Sequence, residues 1–452
     1  MDNKKARTNL LRRYPKRHIA LAVALVLLCA YYALREVRVV ADFATTYIAF
    51  PWHHISGRIH NFYPFSVAEW LCALAGVGVL AYILVTLYKI IREPKKLQRL
   101  YAAVVTLLAA ALLAYSHMCW LWGIGFYSHT YTELSGIETN AIRVEELKEV
   151  TIYFAEVATA AAEAVNRDEN GLYVCDIQNT FNDAPGLYAD LPGEFDFLQG
   201  PEIHPKPMVF SYIMSHMNFT GVFFPLTGEA NINICTPDCF IPSTVAHELA
   251  HQHGVIREQD ANFTAVLVCM ESGDADFVYS GALLAYVHLA HSLREASYAD
   301  WEEASSHLGE SVRRDLLANS EYWAEFNTPA AQVSEAAYEE FLHNQGQELG
   351  MRSYGACVDM LVTYYGRTVG TVRFCPRDSG DSGYGQGYDK RGKTGKTAHP
   401  LRTDRLCGID FPGAELITWQ TPRWDRLHQC RDVQPRPMRP ALTASGRRLP
   451  HR

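Results

Sequence analysis

The sequence predicts a mostly α-helical protein: three N-terminal transmembrane helices, then a helical outer domain with a small β hairpin or sheet beside an HExxH helix. Three observations predict it. Long apolar runs are confined to the first part of the chain, helical periodicity fills most of the remainder, and a period-two stretch stands just before His247 and His251.

At 452 residues the chain has room for one large domain plus a membrane part. The apolar runs are HIALAVALVLLCAYYAL (residues 18–34), SVAEWLCALAGVGVLAYILVTLY (66–88) and LYAAVVTLLAAALLAYSHMCWLWGIGF (100–126). Each is near the roughly 20 residues that a helix needs to cross the hydrocarbon core. Basic residues set the direction. Lys4, Lys5, Arg7, Arg12, Arg13, Lys16 and Arg17 precede the first run, and Lys89, Arg92, Lys95, Lys96 and Arg99 separate the second from the third. Both clusters therefore belong on the cytoplasmic side, and three crossings leave the rest of the chain extracytoplasmic. The first run is expected to stay as an anchor, because no small-residue cleavage site follows it before Tyr31 and Tyr32. The expected order is a basic cytoplasmic segment (1–17), a three-span anchor (18–126), an outer domain (127–375) and a basic, disordered tail (376–452).

The formal net charge of -8 hides a gradient. Roughly +10 falls in residues 1–123, about -25 in 124–375 and about +7 in the tail. An acidic outer domain argues against nucleic acid as a partner, since phosphate binding needs a basic surface. The expected partners are a lipid bilayer and a peptide or protein substrate.

In the outer domain, residues 137–171 alternate apolar and acidic side chains at helical spacing and stop at Gly171. Residues 172–205, rich in Asp, Asn, Pro and Gly, read as an irregular loop. GVFFPLTGEANINI (221–234) changes to period two and turns at Thr227-Gly228, so it reads as a hairpin. Helical patterns return from 242 to about 370. Cys235 and Cys239 are a plausible structural or free pair; a CxxxC metal half-site lacks a second half-site with zinc spacing.

The chemistry concentrates in FIPSTVAHELAHQHGVIREQDANF, residues 240–263. His247 and His251 stand four apart, so a helix projects both from one face, where they can take two corners of a zinc tetrahedron. Glu248 lies beside them, placed to take the proton of a water activated by the metal. Pro242 suits the first helical turn and Gly254 the C-terminal stop, so the local text indicates a helix without reference to the motif. HExxH alone also arises on solvated surface helices. Apolar flanks (Val245, Ala246, Leu249, Ala250), a following acidic residue and a preceding strand favour the site. That strand, with Glu229, Asn231 and Asn233, is where a peptidase keeps an edge for substrate backbone.

Two residues compete as third ligand. Glu271 has a suitable separation but lies in ESGD, a helix end. Glu258 opens EQDAN, which resembles the ExxAD pattern of glutamate-zincins, with Asn262 where that pattern has Asp to hydrogen-bond a ligand histidine. Glu258 is preferred. Arg257 occupies the position where a longer HExxHxxGxxH pattern requires a ligand, and His253 points away from His251. Tyr354, Tyr364 and Tyr365 are candidate oxyanion donors, although tyrosine in helical text usually packs a core.

The stretches NFYPFSVAEW, MSHMNFTGVFFPLTGEANINI and FIPSTVAHELAHQHGVIREQDANF resemble a bacterial family of three-span membrane proteins known only as a domain of unknown function. The resemblance covers about residues 15–370 and is strongest over 211–268. It implies a zincin-like outer domain with His247, Glu248, His251 and Glu258 at the matching positions, and no substrate. The expected function is a membrane-anchored zinc metallopeptidase. The alternative is a non-catalytic zincin-fold membrane sensor or scaffold. An intramembrane protease is excluded, because the motif lies well beyond the last apolar run.

Overall fold

The computed structural model describes residues 12–139, 142–189, 191–347 and 354–373. The tail expected to be disordered lies outside the described residues. The protein is mostly helical, with three membrane-length helices at its N-terminal end and one small three-stranded sheet.

Among the described residues, the helices long and apolar enough to cross a membrane are α1 (Pro15–Leu34), α4 (Val67–Arg92) and α5 (Lys96–Leu121). Helices α1 and α5 run side by side. Arg13 meets Gln98 at 2.8 Å and His18 meets Tyr101 at 2.8 Å at their basic ends, and Trp120 donates to the Leu27 carbonyl near the other. The third apolar run ends as a helix at Leu121; residues Gly123–Tyr127 form a 3-10 turn, and Phe126 of that turn packs with Phe223 and Ile256 of the domain that follows.

Between α1 and α4 the sequence pattern predicts no element, yet the structure has a nearly continuous helix. It comprises α2 (Arg38–Ala44), a π-helical turn (Thr45–Ala49) and α3 (Phe50–His60). Ser66 then caps α4 by accepting the Glu69 N–H at 2.9 Å.

The domain beyond the membrane-length helices starts with α6 (Tyr131–Ser135) and α7 (Val144–Ala161). The latter is shorter than the predicted 137–171, because the chain turns at Gly171 (φ +73°) in a loop after the helix has ended. Residues 172–205 are not a bare loop. They hold α8 (Ile177–Asp183), capped by Asp176, and two 3-10 turns that bury Leu187, Tyr188, Phe195 and Leu198. The sheet follows: β1 (Lys206–Pro207), α9 (Ser211–His216), β2 (Gly221–Phe224) and β3 (Glu229–Ile232), in the order β1-β3-β2. β1 pairs with β3 in parallel and β2 with β3 antiparallel, Val222 opposite Asn231 and Phe223 opposite Ala230.

Six further helices complete the domain: α10 (Ile241–Gln252), α11 (Glu258–Glu271), α12 (Ala275–Ala296), α13 (Tyr298–Ser306), α14 (Glu310–Glu325) and α15 (Pro329–Asn344). Later in the chain comes α16 (Tyr354–Arg373). The core gathers Val150 and Phe154 of α7, Leu249 of α10, Val266 of α11, Leu283 of α12 and Leu361 of α16. Helix α10 is therefore held on one side by this core and on the other by β2 and β3. No disulfide joins Cys235 to Cys239.

Candidate metal centre

Helix α10 carries Pro242 in its first turn and is followed by Gly254 at φ +96°, which turns the chain back. A Cβ at Gly254 would meet the Phe50 ring at 2.8 Å, so glycine serves both the turn and the close approach of α3. On α10 the four-residue spacing brings His247 and His251 edge to face, with ring centroids 4.7 Å apart. The reversed chain re-enters as α11, and its first residue, Glu258, faces both imidazoles. Glu258 Oε2 lies 3.2 Å from His247 Nε2, and Oε1 lies 3.7 Å from His251 Nε2. One donor atom from each of the three residues falls within 4.8 Å of the others.

That spacing suits a small cation. A tetrahedral zinc shell with ligands at about 2.0–2.1 Å separates its donors by about 3.3 Å. The donor set, two imidazoles and a carboxylate, is a usual zinc set, and it needs only small side-chain adjustments to close. His251 is further oriented by donating from Nδ1 to the Val255 carbonyl at 2.7 Å, which leaves Nε2 for the centre. Trp122, just past the end of α5, packs edge-on against His251 with centroids 5.3 Å apart.

The electrostatics bind the three residues together. Burial disfavours a charge on His251, but Glu258, with help from Glu248, lifts its pKa to about 9. Burial likewise pushes the Glu258 carboxyl upward, yet His251 and His247 outweigh it and hold Glu258 well below its ordinary value. Glu248 differs. Burial raises its pKa; His247, His251 and the Phe223 N–H pull it down, Glu258 pushes it up, and burial prevails. Its Oε2 has no hydrogen-bond partner among the described residues. A buried carboxyl with an unused oxygen and a raised pKa, next to two candidate ligand histidines, is a suitable proton acceptor.

Other predicted residues fall elsewhere. Asn262 is half-buried on α11, and among the described residues no hydrogen bond joins it to either imidazole; the Val255 carbonyl takes the place it was expected to fill for His251. Glu271 ends α11, about 20 Å along the helix from Glu258, too far to share a ligand set. His253 donates from Nδ1 to the Leu198 carbonyl at 2.6 Å and stacks on Tyr188, away from the centre. Arg257 turns from the site to donate to the Phe126 carbonyl. Tyr364 packs on Phe195 and Phe263, and Tyr365 on Phe154, so both are core residues. Tyr354 opens α16, and its side chain lies outside the described residues.

The expected substrate strand requires a correction. β3 is the central strand, paired on both sides and wholly buried, so it presents no edge. Its polar side chains, and that of Asn233 just past its end, have internal tasks. Glu229 accepts the N–H groups of Val67 and Ala68 at 3.0 and 2.8 Å, tying the first turn of α4 to the sheet. Asn231 donates to the Val222 and Glu229 carbonyls, and Asn233 to Ser215 Oγ and the Phe219 carbonyl. The outer strand is β2. Asn233 N donates to the Thr220 carbonyl, so the antiparallel alternation turns the backbone groups of Gly221 and Phe223 outward, toward Glu248. A Cβ at Gly221 would lie 2.6 Å from Glu248 Cγ, so this strand must carry glycine where it crosses the Glu248 carboxyl.

Sequence reasoning missed two contributors. Tyr338 of α15 donates from its hydroxyl to Glu258 Oε1, and nothing in the acidic text of that helix signals it. The role of β2 was signalled, since GVFF and EANI are two halves of one hairpin, but pairing of β1 with β3 was needed to decide which half is the edge.

No curated protein and no solved structure matches the chain. A family model described as a protein of unknown function, DUF3810, matches residues 46–362. The matched span holds α3, α4, α5, the sheet and every residue of the centre, from Trp122 to Tyr338. With most of its length matched in this way, the chain is a member of the DUF3810 family.

Proposed function

We propose that the protein is a membrane-anchored zinc metallopeptidase of glutamate-zincin type, hydrolysing peptide or protein substrates outside the cytoplasm. The observation that carries the reading is the convergence of His247, His251 and Glu258 beside the buried, half-unpartnered carboxyl of Glu248. The basic ends of α1 and α5 lie together, away from the outer domain, which supports placing that domain on the extracytoplasmic side.

His247, His251 and Glu258 would hold the ion, which when bound would polarise a peptide carbonyl and acidify a water. Glu248 takes a proton from water and returns it to the departing amine; its raised pKa suits both directions of transfer. The outward backbone groups of Gly221 and the Phe223 carbonyl align an extended peptide as an added strand, the Phe223 N–H being held by Glu248. The Tyr338 hydroxyl, already within the centre, is the candidate donor to the developing oxyanion.

Metal analysis of the purified full chain tests the reading. Wild type is expected to retain about one zinc equivalent, and the double substitution His247→Ala with His251→Ala less than about a tenth of that. Equal, negligible metal in both ends the proposal. The pH dependence has a defined sign. His251 keeps its proton up to about pH 9 without metal, and the ion must displace it. Zinc affinity is therefore expected to fall about tenfold per pH unit between about pH 8 and 6, measured by competition with a chromophoric chelator.

A further inference from the structure

We propose that the helical segment Arg38–His60 is a fourth membrane element, one that lies along the boundary of the bilayer instead of crossing it, with lipid as its partner. Its polarity is the reverse of a helix on a water-soluble protein. Ala41, Ala44, Thr45, Ala49, Ser56 and Gly57 face the protein and are buried. Val39, Phe43, Tyr47, Ile48, Ile55 and Ile59 face outward, each more than half exposed (51–78 %). In water the large apolar side chains would turn inward and the small polar ones outward. Against lipid the observed order is the favourable one: small residues let backbones approach, and bulky ones contact acyl chains. The approach is close, since a Cβ on Gly57 would lie 2.8 Å from the Gly228 carbonyl oxygen.

Chain continuity identifies lipid as the occupant. The segment leaves α1 through Arg35–Val37 and enters α4 through Asn61–Ser66, so short links tie both its ends to points where membrane-length helices end. Its length, about 34 Å at 1.5 Å per residue, lies between those points. A second exposed apolar patch adjoins α4. Phe210 and Ile213, 39 and 55 % exposed, sit with Phe210 beside Trp70 (centroids 6.1 Å) in the first turn of that helix. Both patches continue the exposed apolar sides of the membrane-length helices, where Trp70, Leu71 and Leu74 of α4 are also exposed. Tyr47 and Trp52 supply the amphipathic aromatics typical of a membrane boundary.

The arrangement bears on the metal centre. Phe50 lies against Gly254, three residues past His251, and Gln252 donates to the Gly228 carbonyl that rests on Gly57. The end of α10 is thus seated on the segment, and the centre stands about one helix diameter, roughly 10 Å, above the lipid. Taken with the proposed hydrolysis, this favours peptide bonds presented next to the membrane surface; that step rests on the peptidase reading, whereas the lipid contact does not.

The test reads lipid contact alone. p-Benzoylphenylalanine is placed singly at Phe43, Tyr47 and Ile55 of the full chain, reconstituted in phosphatidylcholine–phosphatidylglycerol vesicles and irradiated. Tyr298, 58 % exposed on α13, is the control. Phospholipid adducts, read by mass spectrometry, are expected at the three segment positions at roughly tenfold or more above the control. Adducts at the control level, or crosslinks to a second copy in their place, overturn the proposal. Phe43 and Tyr47 are aromatic already and stand on an exposed face with room for the added benzoyl group, so either position gives a reading if the Ile55 variant does not fold.

Discussion

Replacement of Glu248 by Gln is expected to lower turnover of a mixed internally quenched peptide library by roughly 10³-fold, the usual worth of a positioned general base. Gln has the same shape and cannot accept the proton. Metal content is expected to stay at the wild-type level, because Glu248 does not belong to the group of donor atoms that converge. Stability is expected to hold or rise. Burial already penalises the ionised carboxyl, and an amide carries no such penalty. A variant with unfolding midpoint and zinc intact but peptide cleavage gone would separate chemistry from architecture. Unchanged cleavage in the variant would remove Glu248 from the mechanism. A cellular phenotype that survives E248Q would instead favour the sensor or scaffold reading, in which the centre holds shape and performs no hydrolysis.

The parts of this protein that could be read from its sequence are those whose signal is local. The three membrane-length helices announce themselves through unbroken apolar runs, and α10 through Pro242, the four-residue histidine spacing and Gly254. Glu258 was readable because only the Gly254 turn separates it from His251, so chain length alone keeps it near. The segment Arg38–His60 was not, because its apolar residues face outward and its small ones inward, a pattern that reads in water as no helix face at all. The edge assignment failed for a different reason. Whether β2 or β3 is central depends on β1, a two-residue strand too short to carry any periodicity. Tyr338 lies beyond local reasoning altogether, since it reaches Glu258 from a helix that is eighty residues further on.

The largest expected loss of stability from a single methyl group is at Gly228, where the sheet meets the segment. Gly228 closes the β2–β3 turn at φ +65°, a conformation that costs an L-residue about 1 kcal/mol. A Cβ there would lie 2.1 Å from the His53 carbonyl oxygen and 2.8 Å from the Gly57 nitrogen. Both are backbone atoms of α3, which cannot swing aside as a side chain would. Nearby contacts would move together: the Leu226 carbonyl accepts from Ser56 and Trp52, the Thr227 carbonyl bonds His60, and the Gly228 carbonyl accepts from Gln252 of α10. Gly228→Ala is therefore expected to cost about 4 kcal/mol, lowering the thermal midpoint in detergent by roughly 10 °C. Gly186→Ala, where an added Cβ meets nothing within 4 Å, is the control and should shift it little. Because Gln252 and His251 are neighbours on α10, any G228A protein that does fold should also bind zinc more weakly. A midpoint equal to wild type would mean that α3 does not dock on this turn, and the support it lends to the metal centre would fall with it.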